Sequence, residues 1–388
     1  MTVTAPQGFR AAGVKAGLKA SRNPDLALVV NDGPSKAAAA VFTSNRVAAA
    51  PVHWSRQVVS DGRVDAVILN SGGANACTGP QGFQNTHATA EKTARVLGIS
   101  ATDVFVCSTG LIGEQLPMDK LLPAVDAAAA ALDADGGAAA AAAIMTTDTV
   151  PKQAVFKGVD AEGQEFTIGG IAKGAGMLAP GLATMLVVLT TDANVLPEML
   201  DFVLREATRV TFDRADSDGC MSTNDTVVLL ASGASGAVPS AEAFGKGLTQ
   251  VCAELARKLI GDAEGASHDI AIRTFNAASE RDAETVSRAV ARSNLFKAAI
   301  FGKDPNWGRV LSAVGTTDAA FEPDKLNVSM NGVRICRNGS IGEDRKLVDL
   351  EPREVIVEID LQAGSSEATI WTNDLTHDYV HENSAYSS

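Results

Sequence analysis

Lys173-Gly-Ala-Gly-Met-Leu-Ala-Pro-Gly-Leu-Ala-Thr184-Met-Leu-Val-Val-Leu-Thr-Thr191 joins a loop of small residues to a short apolar run. The run 185–191 carries β-branched residues with no polar alternation, the pattern of a strand covered on both faces. A threonine thus stands where a Gly/Pro-rich loop enters a core strand, with small Ala183 just before it. By itself a threonine at a strand start is only a β-former. The position also suits a chain that cuts itself between Ala183 and Thr184. The freed α-amine, with a pKa near ~8, then serves as base for its own hydroxyl.

Outward from this segment, short apolar runs alternate with helical patterns. Residues 26–30, 39–43, 66–70 and 104–107 read as strands, and 84–97, 119–132 and 137–145 as helices. After the core strand, Leu196, Leu200, Val203, Leu204 and Ala207 recur at helical spacing, with Pro197 suited to a first turn. Residues 227–231 return as a strand. Leu248, Val251, Cys252, Leu255 and Leu259 make another helical stripe that ends near Gly261. The pattern then repeats on a smaller scale, with a helix near 280–292, a strand near 295–301 and a helix after Pro305. Paired strands near 326–336 follow, then 355–361 and 368–372. This interleaving predicts an α/β protein: a larger layered α/β catalytic domain, 1–275, continuing across the cut, and a smaller α/β domain, 276–388.

The 388 residues are 46% hydrophobic and 20% charged, a globular composition able to bury a large core. A net charge of −13 disfavours nucleic acid or an anionic membrane as partner, so an anionic substrate must find local cations. Cys77, Cys107, Cys220, Cys252 and Cys336 are odd in number and contain no Cys-x-x-Cys, which fits reduced thiols in the cytoplasm. The first ten residues lack the apolar core of a signal peptide, and no stretch reads as a membrane span. The alanine tracts at 127–131 and 138–143 read as helix.

Several clusters have both a chemical and a bland reading. Ser108-Thr109-Gly110 follows a strand, where a hydroxyl and an amide can hold a developing oxyanion or simply make a turn. Lys173, between Gly170 and Gly174, reads as a loop lysine, either a carboxylate contact or a solvated charge. It makes no phosphate loop, because no Ser or Thr follows it. Met145-Thr-Thr-Asp-Thr149 reads as a helix stop. Glu264, in Gly261-Asp-Ala-Glu-Gly265, reads as an exposed turn acid, and the tail His381-Glu-Asn-Ser-Ala-Tyr-Ser-Ser388 as a frayed end. Asp216-Ser-Asp-Gly-Cys-Met-Ser-Thr-Asn-Asp225 lacks the spaced ligands and closing glutamate of a calcium loop. His377 and His381 have no third ligand in sequence, so no metal is expected.

The segments 39–43, Asn70-Ser-Gly-Gly-Ala-Asn75, 108–110, 173–184, Asp304-Pro-Asn-Trp307 and the C-terminus together resemble the ornithine acetyltransferase (glutamate N-acetyltransferase) family, nearly end to end. The resemblance implies autocleavage between Ala183 and Thr184, giving an α chain 1–183 and a β chain 184–388 in an α2β2 assembly. It implies Thr184 as nucleophile, Thr109 and Gly110 as the oxyanion hole, and Thr147 (with Thr146 beside it), Lys173, Thr184, Glu264, Asn383 and Ser388 as substrate contacts. The implied reaction is ping-pong transfer of acetyl from N2-acetylornithine to glutamate. No cofactor is implied, although some family members also use acetyl-CoA as donor. Asp304–Trp307 and its neighbours are expected to serve packing or a subunit contact. The alternative is an N-terminal-nucleophile amidohydrolase or aminopeptidase with water as acceptor.

Overall fold

The computed structural model describes residues 2–177 and 185–385. Its strands and helices follow in the order β1 (Phe9–Val14), β2 (Leu26–Asn31), β3 (Ala37–Phe42), α1 (Ala50–Val58), β4 (Ala66–Asn70), α2 (Gly79–Leu97), β5 (Val104–Ser108), α3 (Met118–Ala130) and α4 (Gly137–Ala143). Then come β6 (Lys152–Val159), β7 (Glu165–Lys173), β8 (Leu186–Thr191), α5 (Pro197–Arg209), β9 (Thr226–Ala231) and α6 (Ala241–Gly261). The remainder is β10 (Asp269–Ala277), α7 (Glu280–Ala291), α8 (Asn294–Phe301), α9 (Trp307–Val314), β11 (Asn327–Met330), β12 (Val333–Arg337), β13 (Ser340–Ile341), β14 (Glu354–Asp360), β15 (Ser366–Asn373) and α10 (His377–Ala385).

Two sheets form the first part of the molecule: β1-β2-β4-β5 and β3-β9-β8-β7-β6. Successive side chains of a strand point to opposite faces, and the core follows that rule. From β8, Leu186 and Val188 pack in one cluster with Val29, Val67, Leu69 and Phe105 of the other sheet, so these faces meet. Val187 and Leu189 pack the other way, with Leu204, Leu248 and Leu255 of α5 and α6. On the far face of the first sheet, Leu28, Ile68 and Val106 pack beneath Ala90 of α2 and Val125 of α3. The result is four layers, helix–sheet–sheet–helix. It explains why β2, β4, β5, β8 and β9 are buried at every residue and read as unbroken apolar runs.

The third sheet, β13-β12-β11-β14-β10-β15, packs its own core against α7, α8 and α9. Its strand β10 spans residue 276 and pairs parallel with β14 and antiparallel with β15. The expected strand at 295–301 is instead α8. Its apolar run is one that periodicity does not assign, and the deciding signal is Ser293, whose side chain accepts the Phe296 N–H as an N-cap. Lys173 is likewise no loop residue. It ends β7, paired with Leu186 of β8, because the Gly169–Gly170 pair continues the strand.

Among the described residues no helix is long and apolar enough to cross a membrane. The cysteines form no disulfide; Cys107, Cys252 and Cys336 are buried, while Cys77 and Cys220 are exposed.

Candidate active site

β4 and β5 run parallel and end side by side at Asn70 and Ser108. The chain leaving β5 stays attached to its neighbour, since Thr109 N–H donates to Asn70 O at 3.0 Å and Gly73 N–H donates to Thr109 O at 3.0 Å. Asn224 draws the same two segments together, its Nδ2 donating to Ala74 O at 2.6 Å and Ser108 O at 2.8 Å. Gly110 follows at φ +132°, and a Cβ there would lie 2.7 Å from Gly73 N, so only glycine fits this approach.

The Thr109 hydroxyl faces Lys173, whose Nζ lies 3.4 Å from Thr109 Oγ1. Lys173 is 1% exposed, and that burial lowers its ammonium, with Asp148 opposing the shift. Asp148 lies 4.0 Å from Lys173 Nζ and 2.6 Å from Lys152 Nζ, and it accepts the N–H groups of Gly174 at 2.7 Å and Thr146 at 2.9 Å. Burial alone would raise the Asp148 carboxyl. Lys173, Lys152 and the Gly174 amide outweigh it and hold the group at about 2. Lys152 also pairs with Asp262 at 2.5 Å, tying the end of α6 to this net.

Beside β8, Asp225 Oδ1 accepts the N–H of Met185 at 3.0 Å. Asp225 is fully buried, and burial pushes its carboxyl well above the ordinary range; its Oδ2 has no hydrogen-bond partner among the described residues. On the opposite wall, Asn383 of α10 donates to Glu264 Oε2 at 3.0 Å. A Cβ on Gly176 would sit 2.7 Å from that oxygen, so this glycine lets the acid approach the loop after β7. The tail therefore folds back onto the molecule, held by Thr376 Oγ1 donating to Gly265 O at 2.6 Å.

Several of these groups border one open cavity of about 590 Å³, while Asp148, Lys152, Asn224 and Asp225 stand behind its wall. Its lining brings together Thr109, Gly110, Thr147, Lys173, Glu264 and Asn383, and adds Lys19, Glu114, Thr146, Asp218, Cys220 and Tyr379. Both threonines of the 146/147 pair thus face it. Ala183, Thr184 and Ser388 lie outside the described residues. Asp218 Oδ2 accepts the Met177 N–H at 2.7 Å, which places the 216–225 loop at the rim. No group of three or more His, Cys, Asp or Glu able to hold a metal occurs among the described residues. His377 is exposed, stacked edge-on against Phe301 at 5.4 Å, and His381 is exposed as well.

Lys19 and Lys152 went unmarked in the sequence reading, and Asp148, Asn224 and Asp225 were quoted only inside the segments 145–149 and 216–225. The Lys152–Asp262 pair spans 110 residues, and the four-residue Asp148–Lys152 spacing runs from a loop into β6, so neither stands out in the sequence.

A model of the ArgJ family matches residues 10–388. The arginine biosynthesis bifunctional protein ArgJ of Streptomyces coelicolor is 66% identical over 388 residues, covering 100% of both chains. That of Mycobacterium leprae is 54% identical over 393 residues, covering 100% of this chain and 96% of its own. Among solved structures, an ornithine acetyltransferase from Mycobacterium tuberculosis complexed with ornithine is 57% identical, covers 48% of this chain and 96% of that chain, and has a TM-score of 0.44. With the family pattern running from Arg10 to the C-terminus and relatives matched over their whole length, the chain belongs to the ArgJ family of arginine-biosynthesis proteins.

Proposed function

We propose that this acyltransferase moves an acetyl group from N2-acetylornithine to glutamate through an acetyl ester on Thr184, after cutting itself between Ala183 and Thr184. The observation that carries the reading is the single cavity whose walls gather Thr109, Gly110, Thr147, Lys173, Glu264 and Asn383 from distant segments. The β7–β8 register adds to it, because Leu186 lies opposite Lys173 and Met185, next after Thr184, is anchored by Asp225.

In the first half-reaction the Thr184 hydroxyl attacks the acetyl carbonyl, its proton passing to the threonine's own α-amine. Thr109 Oγ1 and the Gly110 amide are the donors for the tetrahedral oxyanion. The C–N bond breaks, the amine takes the proton, and ornithine leaves an acetylated enzyme. Glutamate's neutral amine then attacks the ester and the C–O bond to Thr184 breaks. A proton from the amine passes through the threonine α-amine to the threonine oxygen, and N-acetylglutamate departs. Lys173 serves the substrate carboxylate and Glu264, steadied by Asn383, serves the ornithine ammonium. Thr147 and Ser388 complete the contacts. The chemistry calls for no cofactor; acetyl-CoA enters only as a second donor for glutamate. The working form is an α2β2 assembly in the cytoplasm.

Intact mass under denaturing conditions tests the reading, with Thr184→Ala alongside. Two fragments, the second beginning at Thr184, with the variant left whole, are expected. Incubation with N2-acetylornithine should then add one acetyl group to the second fragment, and glutamate should remove it. An uncut wild-type chain, or acetate released at the same rate without glutamate, would sink the transfer mechanism.

A further inference from the structure

The cavity must receive two side chains of opposite charge in turn, the ammonium of ornithine and the γ-carboxylate of glutamate. Acids are plentiful on its walls, with Glu264, Glu114 and Asp218 all lining it. Two lysines line it as well, Lys173 and Lys19. Lys173, beside Thr109 and Asp148 at the reacting centre, is the cation assigned above to the α-carboxylate shared by both substrates. That leaves Lys19 for the remaining carboxylate.

The turn that presents Lys19 is a built feature. Asp25, fully buried, accepts the backbone N–H groups of Ala16 at 2.6 Å, Leu18 at 2.6 Å and Lys19 at 3.0 Å. Leu18 in turn packs where a Cβ on Gly72 would lie 2.1 Å from its own, so the turn is seated against the loop that adjoins Gly110. The Lys19 ammonium donates to Pro24 O at 3.1 Å and to Met145 O, the residue before the two cavity threonines. An ammonium has three donors, and these two bonds leave one for a ligand.

We propose that Lys19 is the specificity-determining cation of the second half-reaction, binding the γ-carboxylate of the acceptor and distinguishing glutamate from uncharged amino acids. This inference rests on the transfer reading above. Burial lowers the Lys19 ammonium to about 8; Asp25 and Asp148 oppose that shift and Lys173 adds to it. At about 8 the ammonium stays mostly charged at neutral pH, so it can pair with an entering carboxylate, while the ornithine ammonium is drawn to Glu264 instead. A lysine that merely tied the turn to Met145 O would treat both substrates alike.

The test separates the half-reactions by mass spectrometry of the acetylated fragment. Acetylation is followed against N2-acetylornithine concentration, and discharge against glutamate and against glutamine, its uncharged isostere. Lys19→Gln should raise the half-saturating glutamate concentration about 10- to 100-fold. It should leave half-saturation by N2-acetylornithine within about 3-fold and abolish the preference for glutamate over glutamine. Lys19→Arg should keep that preference. Equal losses in both half-reactions, or an unchanged glutamate-to-glutamine ratio in Lys19→Gln, would overturn the assignment. A wild-type protein that accepts no acetyl group at all overturns the transfer reading, and this inference with it.

Discussion

At the scale of the residue, the site is a net of buried opposite charges around Lys173. Removing one member of a buried pair costs more than the pair is worth, because the partner is left uncompensated. Asp148→Asn strands Lys173 and leaves Lys152 with Asp262 alone, and about 3–5 kcal/mol of stability should be lost in denaturant titration. The same carboxylate gives a pH signature. Its folded value, about 2, lies below its ordinary 3.8, so its contribution is complete above 3.8 and disappears as pH falls through 2. Thermal unfolding between pH 4 and 2 should show a loss on the order of 2 kcal/mol that Asp148→Asn lacks. Thr109→Ala probes chemistry instead: kcat should fall about 100- to 1000-fold with little change in the KM for N2-acetylornithine. Of these residues only Thr109 was marked in the sequence for catalysis, and through a motif rather than through chemistry visible in Ser108-Thr-Gly110. Asp148 was quoted as part of a helix stop; Lys152 follows it four residues on, but Lys173, at the end of β7, is brought to it only by the fold.

At the scale of the element, the strands that present the site are also the spine of the core. Phe105 of β5 is fully buried between the two sheets and stacks on Phe42 at 5.8 Å. Phe105→Ala should cost about 3–5 kcal/mol, read as a lower denaturation midpoint. Strands covered on both faces were legible, as β2, β4, β5, β8 and β9 show by their continuous apolar runs. β6 and β10 were not, because polarity does not track burial along them, with Lys152 and Thr274 buried while Val159 and Phe275 are not; β7 was hidden by its glycine pair. The 295–301 run misled for a related reason, since seven apolar-rich residues fit a strand or a short helix equally and only Ser293 separates the two.

At the scale of the whole molecule, the C-terminal helix α10 lies outside the packed cores. No α10 residue is buried, and none belongs to the three large cores or to the core beneath α2 and α3. Yet Asn383 holds Glu264 at the cavity wall through a hydrogen bond. A chain ending at Thr376 should therefore unfold within a few degrees of the full-length protein, while kcat/KM for N2-acetylornithine drops at least about tenfold through the loss of a charge-assisted hydrogen bond. A melting temperature that collapsed with the truncation would show the helix to be part of the scaffold.

The pairing of β7 with β8, from Ile168↔Thr191 to Lys173↔Leu186, has a consequence for the life history of the protein. The two strands flank the proposed cut, so the cut separates covalently what remains neighbours in the middle of one sheet. Each piece keeps one sheet whole, but neither completes the five-stranded sheet alone, because β8 and β9 lie between β3 and β7. Self-scission is then a one-way gate in biogenesis: assembly is unimolecular before it and bimolecular after it. Denatured mature protein should recover more slowly on dilution, with a rate that falls with concentration, whereas uncut Thr184→Ala should recover at a rate independent of concentration. A cell that loses the mature form to unfolding would have to replace it by synthesis rather than repair.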